Sequence, residues 1–145
     1  AEGKPLLLTH ELMNRLMFSR DEAVELVHRA ILKTNKEEDT FILSQKMKSI
    51  NVKELAHTIS DNVRVVGMRP GEKLNEILIS SSEVPYTFVD GKFITIRKYK
   101  NKNKNTLDGE YSSENAEFMT KKEIISAVSE TDQSLEKSLL ESRIY

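Results

Sequence analysis

Alternation of strand-like and helix-like segments constrains this chain most. Leu6-Leu7-Leu8-Thr9 reads as a short strand. Ser19 and Glu22 then stand three residues apart as a capping box, and Ala23, Leu26, Val27, Ala30 and Ile31 keep helical spacing to about Lys33. After a charged turn at residues 35–39, Thr40-Phe41-Ile42-Leu43 reads as a buried-type strand. Asn51 and Glu54 give a second cap signature, and Val52, Leu55, Ala56 and Ile59 share a helical face that stops near Ser60-Asp61-Asn62. Val63-Arg64-Val65-Val66 is the next strand, and Leu74, Ile77 and Leu78 are spaced as a short helix beyond it. The order β, α, β, α, β, turn, α predicts an α/β fold: a small layered domain with a short sheet and covering helices.

Between that last strand and the expected helix lies Gly67-Met68-Arg69-Pro70-Gly71-Glu72-Lys73-Leu74-Asn75-Glu76. Pro fixes φ and Gly opens positive φ, so Gly67, Pro70 and Gly71 predict a tight turn carrying Arg69 and Glu72. A guanidinium can fork two donors onto a phosphate, and a carboxylate can accept from vicinal sugar hydroxyls. Arg69, Glu72, Lys73 and Glu76 would equally serve as a solvated salt-bridge cluster, which contributes little to stability.

The texture changes after Ser80-Ser81-Ser82. Tyr86–Val89 and Lys92–Arg97 flank Asp90-Gly91, a preferred pair for a type I′ hairpin turn. Lys98-Tyr99-Lys100-Asn101-Lys102-Asn103-Lys104-Asn105 follows, and its polar basic composition predicts a mobile loop. Thr120 and Glu123 make a third capping box, with Ile124, Ile125 and Val128 behind it and a weak stripe of Leu135, Leu139 and Leu140. Three segments result: an α/β lobe at 1–80, a hairpin and Lys/Asn loop at 81–110, and a helical extension at 111–145.

Composition narrows the function classes. The 145 residues hold 38% apolar and 31% charged side chains at net charge −1, so no global field draws the chain to nucleic acid or anionic membrane. Zero cysteines exclude disulfides, thiolate metal sites and a Cys nucleophile. No apolar run reaches the roughly 18–20 residues that span a bilayer, and the opening Ala1-Glu2-Gly3-Lys4-Pro5 lacks the apolar region of a leader. A cytoplasmic protein without nucleic-acid or membrane partners is expected. His10, His28 and His57 are scattered, the latter two on expected helices, and Met13, Met17 and Met68 are expected to fill core gaps. There is no Gly-rich phosphate loop, no H-E-x-x-H and no nucleophile elbow. No Tyr or Met followed four residues later by Lys stands in a helical catalytic context. No catalytic residue and no bound cofactor or metal is therefore expected in this chain.

Two segments together carry a family resemblance. Gly3-Lys4-Pro5, Thr9, Met13-Asn14-Arg15, Ser19–Glu22 and Ala23–Val27 resemble the stretch just after the dinucleotide-binding core of one enzyme family. Its members are the NAD(P)-dependent UDP-sugar 4,6-dehydratases and epimerases of bacterial polysaccharide biosynthesis, which are extended short-chain dehydrogenases. The decamer at 67–76 is similar to their Arg-Pro-Gly-Glu-Lys-Leu motif, and Thr40–Leu43 with Gln45-Lys46 to their Phe-Val-x-Lys strand. Tyr111-Ser112-Ser113-Glu114-Asn115 resembles a Tyr-Thr-Ser-x-Asn element of one branch. The match covers residues 3–80 well and 108–128 loosely. Asn14 stands for the commoner Thr and Leu16 for an aromatic.

The resemblance implies the substrate-binding, C-terminal lobe of such an enzyme, with the Rossmann half absent. Arg15 and Arg69 would then reach the diphosphate of a UDP-sugar, UDP-N-acetylglucosamine by the branch resembled, and Glu72 would accept from the ribose. NAD(P) and the catalytic groups would belong to a Rossmann half supplied in cis or in trans, leaving this chain inactive alone. A homo-oligomer is a further expected partner. The alternative is a non-catalytic binding or assembly module that kept the fold without the ligand.

Overall fold

The computed structural model of the chain describes residues 3–36, 39–103 and 105–141, with side chains as far as residue 131. In chain order it runs β1 (Leu6–Leu8), β2 (Asn14–Met17), α1 (Arg20–Thr34), β3 (Phe41–Gln45) and β4 (Lys48–Asn51). Then come α2 (Val52–Ile59), β5 (Val63–Val65), β6 (Ile77–Ile79), a 3₁₀ turn (Val84–Tyr86), β7 (Thr87–Asp90), β8 (Phe93–Arg97), β9 (Tyr111–Ser112) and α3 (Lys121–Glu141). The fold is mixed α/β, with helices and several small sheets in place of one short sheet. The stripe expected from Leu135, Leu139 and Leu140 lies outside the described side chains, as do Glu37, Glu38 and Lys104.

All three helix starts form as their sequences dictate. Ser19 accepts from Glu22 N while Glu22 accepts from Ser19 N at 2.8 Å, a complete capping box. Asn51 Oδ1 accepts from Lys53 N and Glu54 N at 3.0 and 3.2 Å. Thr120 N donates to Glu123 Oε2 at 2.7 Å, and Glu123 N donates back to Thr120 Oγ1 at 3.4 Å.

The chain divides into two compact units, each built from separated segments. One unit comprises Ala1–Met13, Ile50–Leu74 and Phe118–Tyr145. Here β1 and β5 pair in parallel, with Leu6 opposite Val63 and Leu8 opposite Val65, and α2 packs on β1 and α3. Leu8, Met13, Ile50 and Ile124 are its buried apolar residues. Met13 fills the core as expected, but Met17 and Met68 are 37% and 39% exposed.

The second unit comprises Asn14–Ser49 and Asn75–Glu117. Its three-stranded antiparallel sheet has the order β3-β8-β7, and β6 pairs antiparallel with β9. Ile79, Ile94 and Leu107 form the core cluster, packed against Leu78, Val84, Val89, Ile96 and Tyr111. Helix α1 contacts β3 and is pinned by Arg29, which lies 4.0 Å over the Phe93 ring and pairs with Asp90 at 2.6 Å. None of its residues is buried, and Val27 and Ile31, expected on the packed face, are 60% and 57% exposed.

Three local expectations are corrected. Leu74, Ile77 and Leu78 do not make a helix: Ile77–Ile79 is strand β6, pairing with Tyr111 and Ser112 across a bulge. Cross-strand pairing on a half-buried surface suits β-branched isoleucine and overrides three apolar residues at helical spacing. In the hairpin Asp90 pairs with Phe93, so the two loop residues are Gly91 and Lys92. Gly91 has φ +59° and no non-Gly residue among those described has positive φ, which is the II′ pattern rather than I′.

The Lys/Asn tract is tied down through its asparagines. Asn101 Nδ2 donates to Thr87 O at 2.8 Å, and Val89 N donates to Asn105 O at 2.8 Å, so the tract runs along β7.

Candidate functional site

The turn after β5 forms as its glycines require. Gly67 and Gly71 have φ of +90° and +87°, values that a side chain strongly disfavours. Between them Arg69 and Glu72 close on each other. Glu72 N donates to Arg69 O at 3.1 Å, and Arg69 N donates to Glu72 Oε2 at 3.1 Å. Both backbone groups of Arg69 are thus held by Glu72, while the exposed guanidinium has no hydrogen-bond or ion-pair partner among the described residues. The Oε1 oxygen of Glu72 likewise accepts nothing among them. A fixed backbone, an unengaged fork of donors and an unengaged carboxylate oxygen three residues away can receive an anion and a hydroxyl.

Arg15 lies on β2, in the second unit, whereas Arg69 and Glu72 belong to the first. Its guanidinium folds back, with Nη1 donating to Asn14 O at 2.7 Å and Nη2 3.7 Å from Glu76 Oε1. Those side chains are 29% and 47% exposed, so the pair itself stabilises weakly. Around them runs a polar knot that sequence reading left without a role. Asn14 Nδ2 donates to Asn75 Oδ1 at 3.0 Å. Ser113 Oγ donates to Asn14 O at 3.1 Å and accepts from Glu76 N at 2.9 Å, while Ser113 N donates to Glu76 O at 2.8 Å.

Ser49, fully buried like Ser113, donates to Ser113 O. Asn115 Oδ1 accepts from Ser112 N at 2.8 Å, shaping the turn that presents Ser113. Tyr111 OH donates to Met47 O at 2.6 Å and accepts from Met47 N, and burial raises the pKa of this phenol. The signal for this knot was the Tyr-Ser-Ser-Glu-Asn run itself, whose serine and asparagine spacing suits local turn bonds.

The glycine turn runs from β5 toward β6, so it lacks the helix N-terminus that receives a pyrophosphate in Gly-rich cofactor loops. Among the described residues no His, Asp or Glu cluster could hold a metal ion, and no helix is long and apolar enough to cross a membrane. His28 and His57 are exposed on α1 and α2.

Residues 1–98 match the model of a family described as polysaccharide biosynthesis protein. The chain belongs to that family. Its relatives include two Campylobacter jejuni proteins named UDP-N-acetylglucosamine 4,6-dehydratase (inverting). One is 33% identical over 61% of this chain and 26% of its own length, the other 29% over 91% and 45%. A UDP-glucose 4-epimerase of Rickettsia rickettsii is 29% identical over 85% of this chain and 40% of its own. A Methanocaldococcus jannaschii relative, 33% identical over 85% of this chain and 40% of its own, carries only the name of an uncharacterized membrane protein. The solved X-ray structure of Pen from Bacillus thuringiensis superposes with a TM-score of 0.72 at 26% identity, over 90% of this chain and 41% of that one. The chain thus spans between 26% and 45% of the curated relatives it matches.

Proposed function

We propose that this chain is the UDP-sugar-binding lobe of a nucleotide-sugar 4,6-dehydratase or epimerase in surface or capsular polysaccharide biosynthesis. Arg69 neutralises the diphosphate with its forked donors, Arg15 adds a second cation, and Glu72 accepts from the uridine ribose through Oε1. The observation that carries this reading is the turn itself: a family member presents a guanidinium, unengaged among the described residues, on a turn that two positive-φ glycines permit and Glu72 holds. The Campylobacter relatives favour UDP-N-acetylglucosamine as the sugar nucleotide.

These residues bind; they do not supply an acid or base to the sugar ring. The redox step and its NAD(P) belong to a Rossmann half, supplied in cis or in trans. That half, and a second copy of this chain, are the macromolecular partners of this reading. A cytoplasmic location follows from it, because nucleotide sugars and NAD(P) are cytosolic metabolites.

Calorimetric titration of UDP and UDP-N-acetylglucosamine, with the dinucleotide-binding half supplied, tests this directly. Binding of both that weakens on Arg69→Ala is the expected result. A complex that binds neither nucleotide overturns the proposal.

A further inference from the structure

We infer that Ser113 is the positioning residue for Arg15, a role that rests on the diphosphate contact proposed for Arg15. Two contacts of the Arg15 guanidinium lead to the same buried hydroxyl. On one side Arg15 Nη1 donates to Asn14 O, and Ser113 Oγ donates to that same oxygen. A carbonyl has two lone pairs, so it can accept from both donors at once and hold them beside each other. On the other side Nη2 faces the carboxylate of Glu76, whose N–H and C=O are both bonded to Ser113.

Ser113 itself cannot drift. It is fully buried, its carbonyl accepts from the equally buried Ser49, and Asn115 braces the turn before it. Every hydrogen-bonding atom of Ser113 is therefore used, and Oγ both donates and accepts. An alanine there would leave Glu76 N without its acceptor and Asn14 O with one donor fewer. Arg15 would then keep its charge but lose its defined pose. A forked contact to phosphate depends on that pose more than on charge alone.

The test is a double-mutant cycle with UDP as probe, dinucleotide-binding half supplied, using Ser113→Ala, Arg15→Ala and both together. Ser113→Ala is expected to weaken UDP binding about five- to tenfold, in line with one or two lost hydrogen bonds. In the Arg15→Ala background the same change should have no further effect. Equal losses in both backgrounds would make Ser113 a merely structural residue and overturn the inference.

If Ser113→Ala does not fold, Ser113→Cys replaces it, since a thiol leaves no cavity and weakens both bonds. An intermediate loss confined to the Arg15 background is then expected. A second readout needs no nucleotide: the Nε–H signal of Arg15 in nitrogen-edited NMR of the full chain, assigned by its loss in Arg15→Lys. It should move toward the position of a free arginine in the Ser113 variant. A signal that stays put refutes the positioning role. A signal that moves while Arg15→Ala binds UDP normally refutes instead the diphosphate contact of Arg15.

Discussion

Replacing Arg69 separates binding from folding. Its side chain is exposed and engages nothing among the described residues, so Arg69→Ala orphans no buried group. The turn is held by backbone and by Glu72, and an alanine at 69 still offers the N–H and C=O that Glu72 uses. We therefore predict a stability change within about 0.5 kcal/mol, as for surface substitutions away from special features.

Affinity should respond differently. Hydrogen bonds to charged groups contribute about 1.5–3 kcal/mol each. Since 1.4 kcal/mol is about tenfold, UDP binding should weaken by one to two orders of magnitude. Arg69→Lys should restore only part of this, because an ammonium is a point charge and cannot place two parallel donors. Calorimetry with UDP gives the affinity and thermal unfolding followed by circular dichroism gives the stability. An Arg69→Ala protein that binds UDP like the wild type, at unchanged melting temperature, would refute the assignment of the turn.

Glu72 has two separable roles, so Glu72→Gln should keep the turn, through its amide oxygen on Arg69 N, yet narrow the preference for UDP over dUDP; Glu72→Ala should lower the melting temperature as well. Gly71→Ala should destabilise by roughly 1 kcal/mol on conformational grounds alone, because φ is +87° while nothing lies within 4 Å of the added methyl; an unchanged denaturant midpoint would contradict this. Tyr111 has a folded-state pKa raised by burial, so its contribution is whole below the ordinary phenol value near pH ~10 and is lost as pH rises through the folded value. Melting curves of wild type and Tyr111→Phe should therefore converge at alkaline pH, with the variant about 1–2 kcal/mol less stable near neutrality.

Local signals were legible in this sequence wherever a short-range bond enforces them. Ser19 with Glu22, Asn51 with Glu54 and Thr120 with Glu123 each need only four residues to form, and each formed. The turn at 67–72 was legible for the same reason, since φ freedom belongs to the glycine and not to its neighbours. What escaped was set by partners distant in sequence. Ile77–Ile79 became a strand because Tyr111 and Ser112 pair with it, and Val27 and Ile31 stay exposed on a helix that meets Phe93 through the Arg29 cation. Lys98–Asn105 reads as loose by composition, yet its asparagines find the β7 backbone ten or more residues back. Ser113 was visible only as part of a run, because bonds reaching 37 and 99 residues away leave no local pattern.

Those distant bonds divide the decamer at 67–76 into two parts. Its first part is a self-contained turn: two glycines and the Arg69–Glu72 clasp need no other segment to form. Its last two residues do a different task in the other unit, where Asn75 bonds Asn14 and Glu76 faces Arg15 while clamped by Ser113. The unit boundary falls between Leu74 and Asn75, inside the motif. One ten-residue run therefore presents one arginine directly and fixes a second through a third segment. Shifting the run's tail by one residue, with an alanine inserted between Leu74 and Asn75, should leave the Arg69 turn intact. It should break the Asn75 and Glu76 bonds together. UDP affinity should then fall to the level of Arg15→Ala rather than of Arg69→Ala. An insertion variant that matches the Arg69→Ala loss, or exceeds both, would show that the two halves of the motif do not act separately.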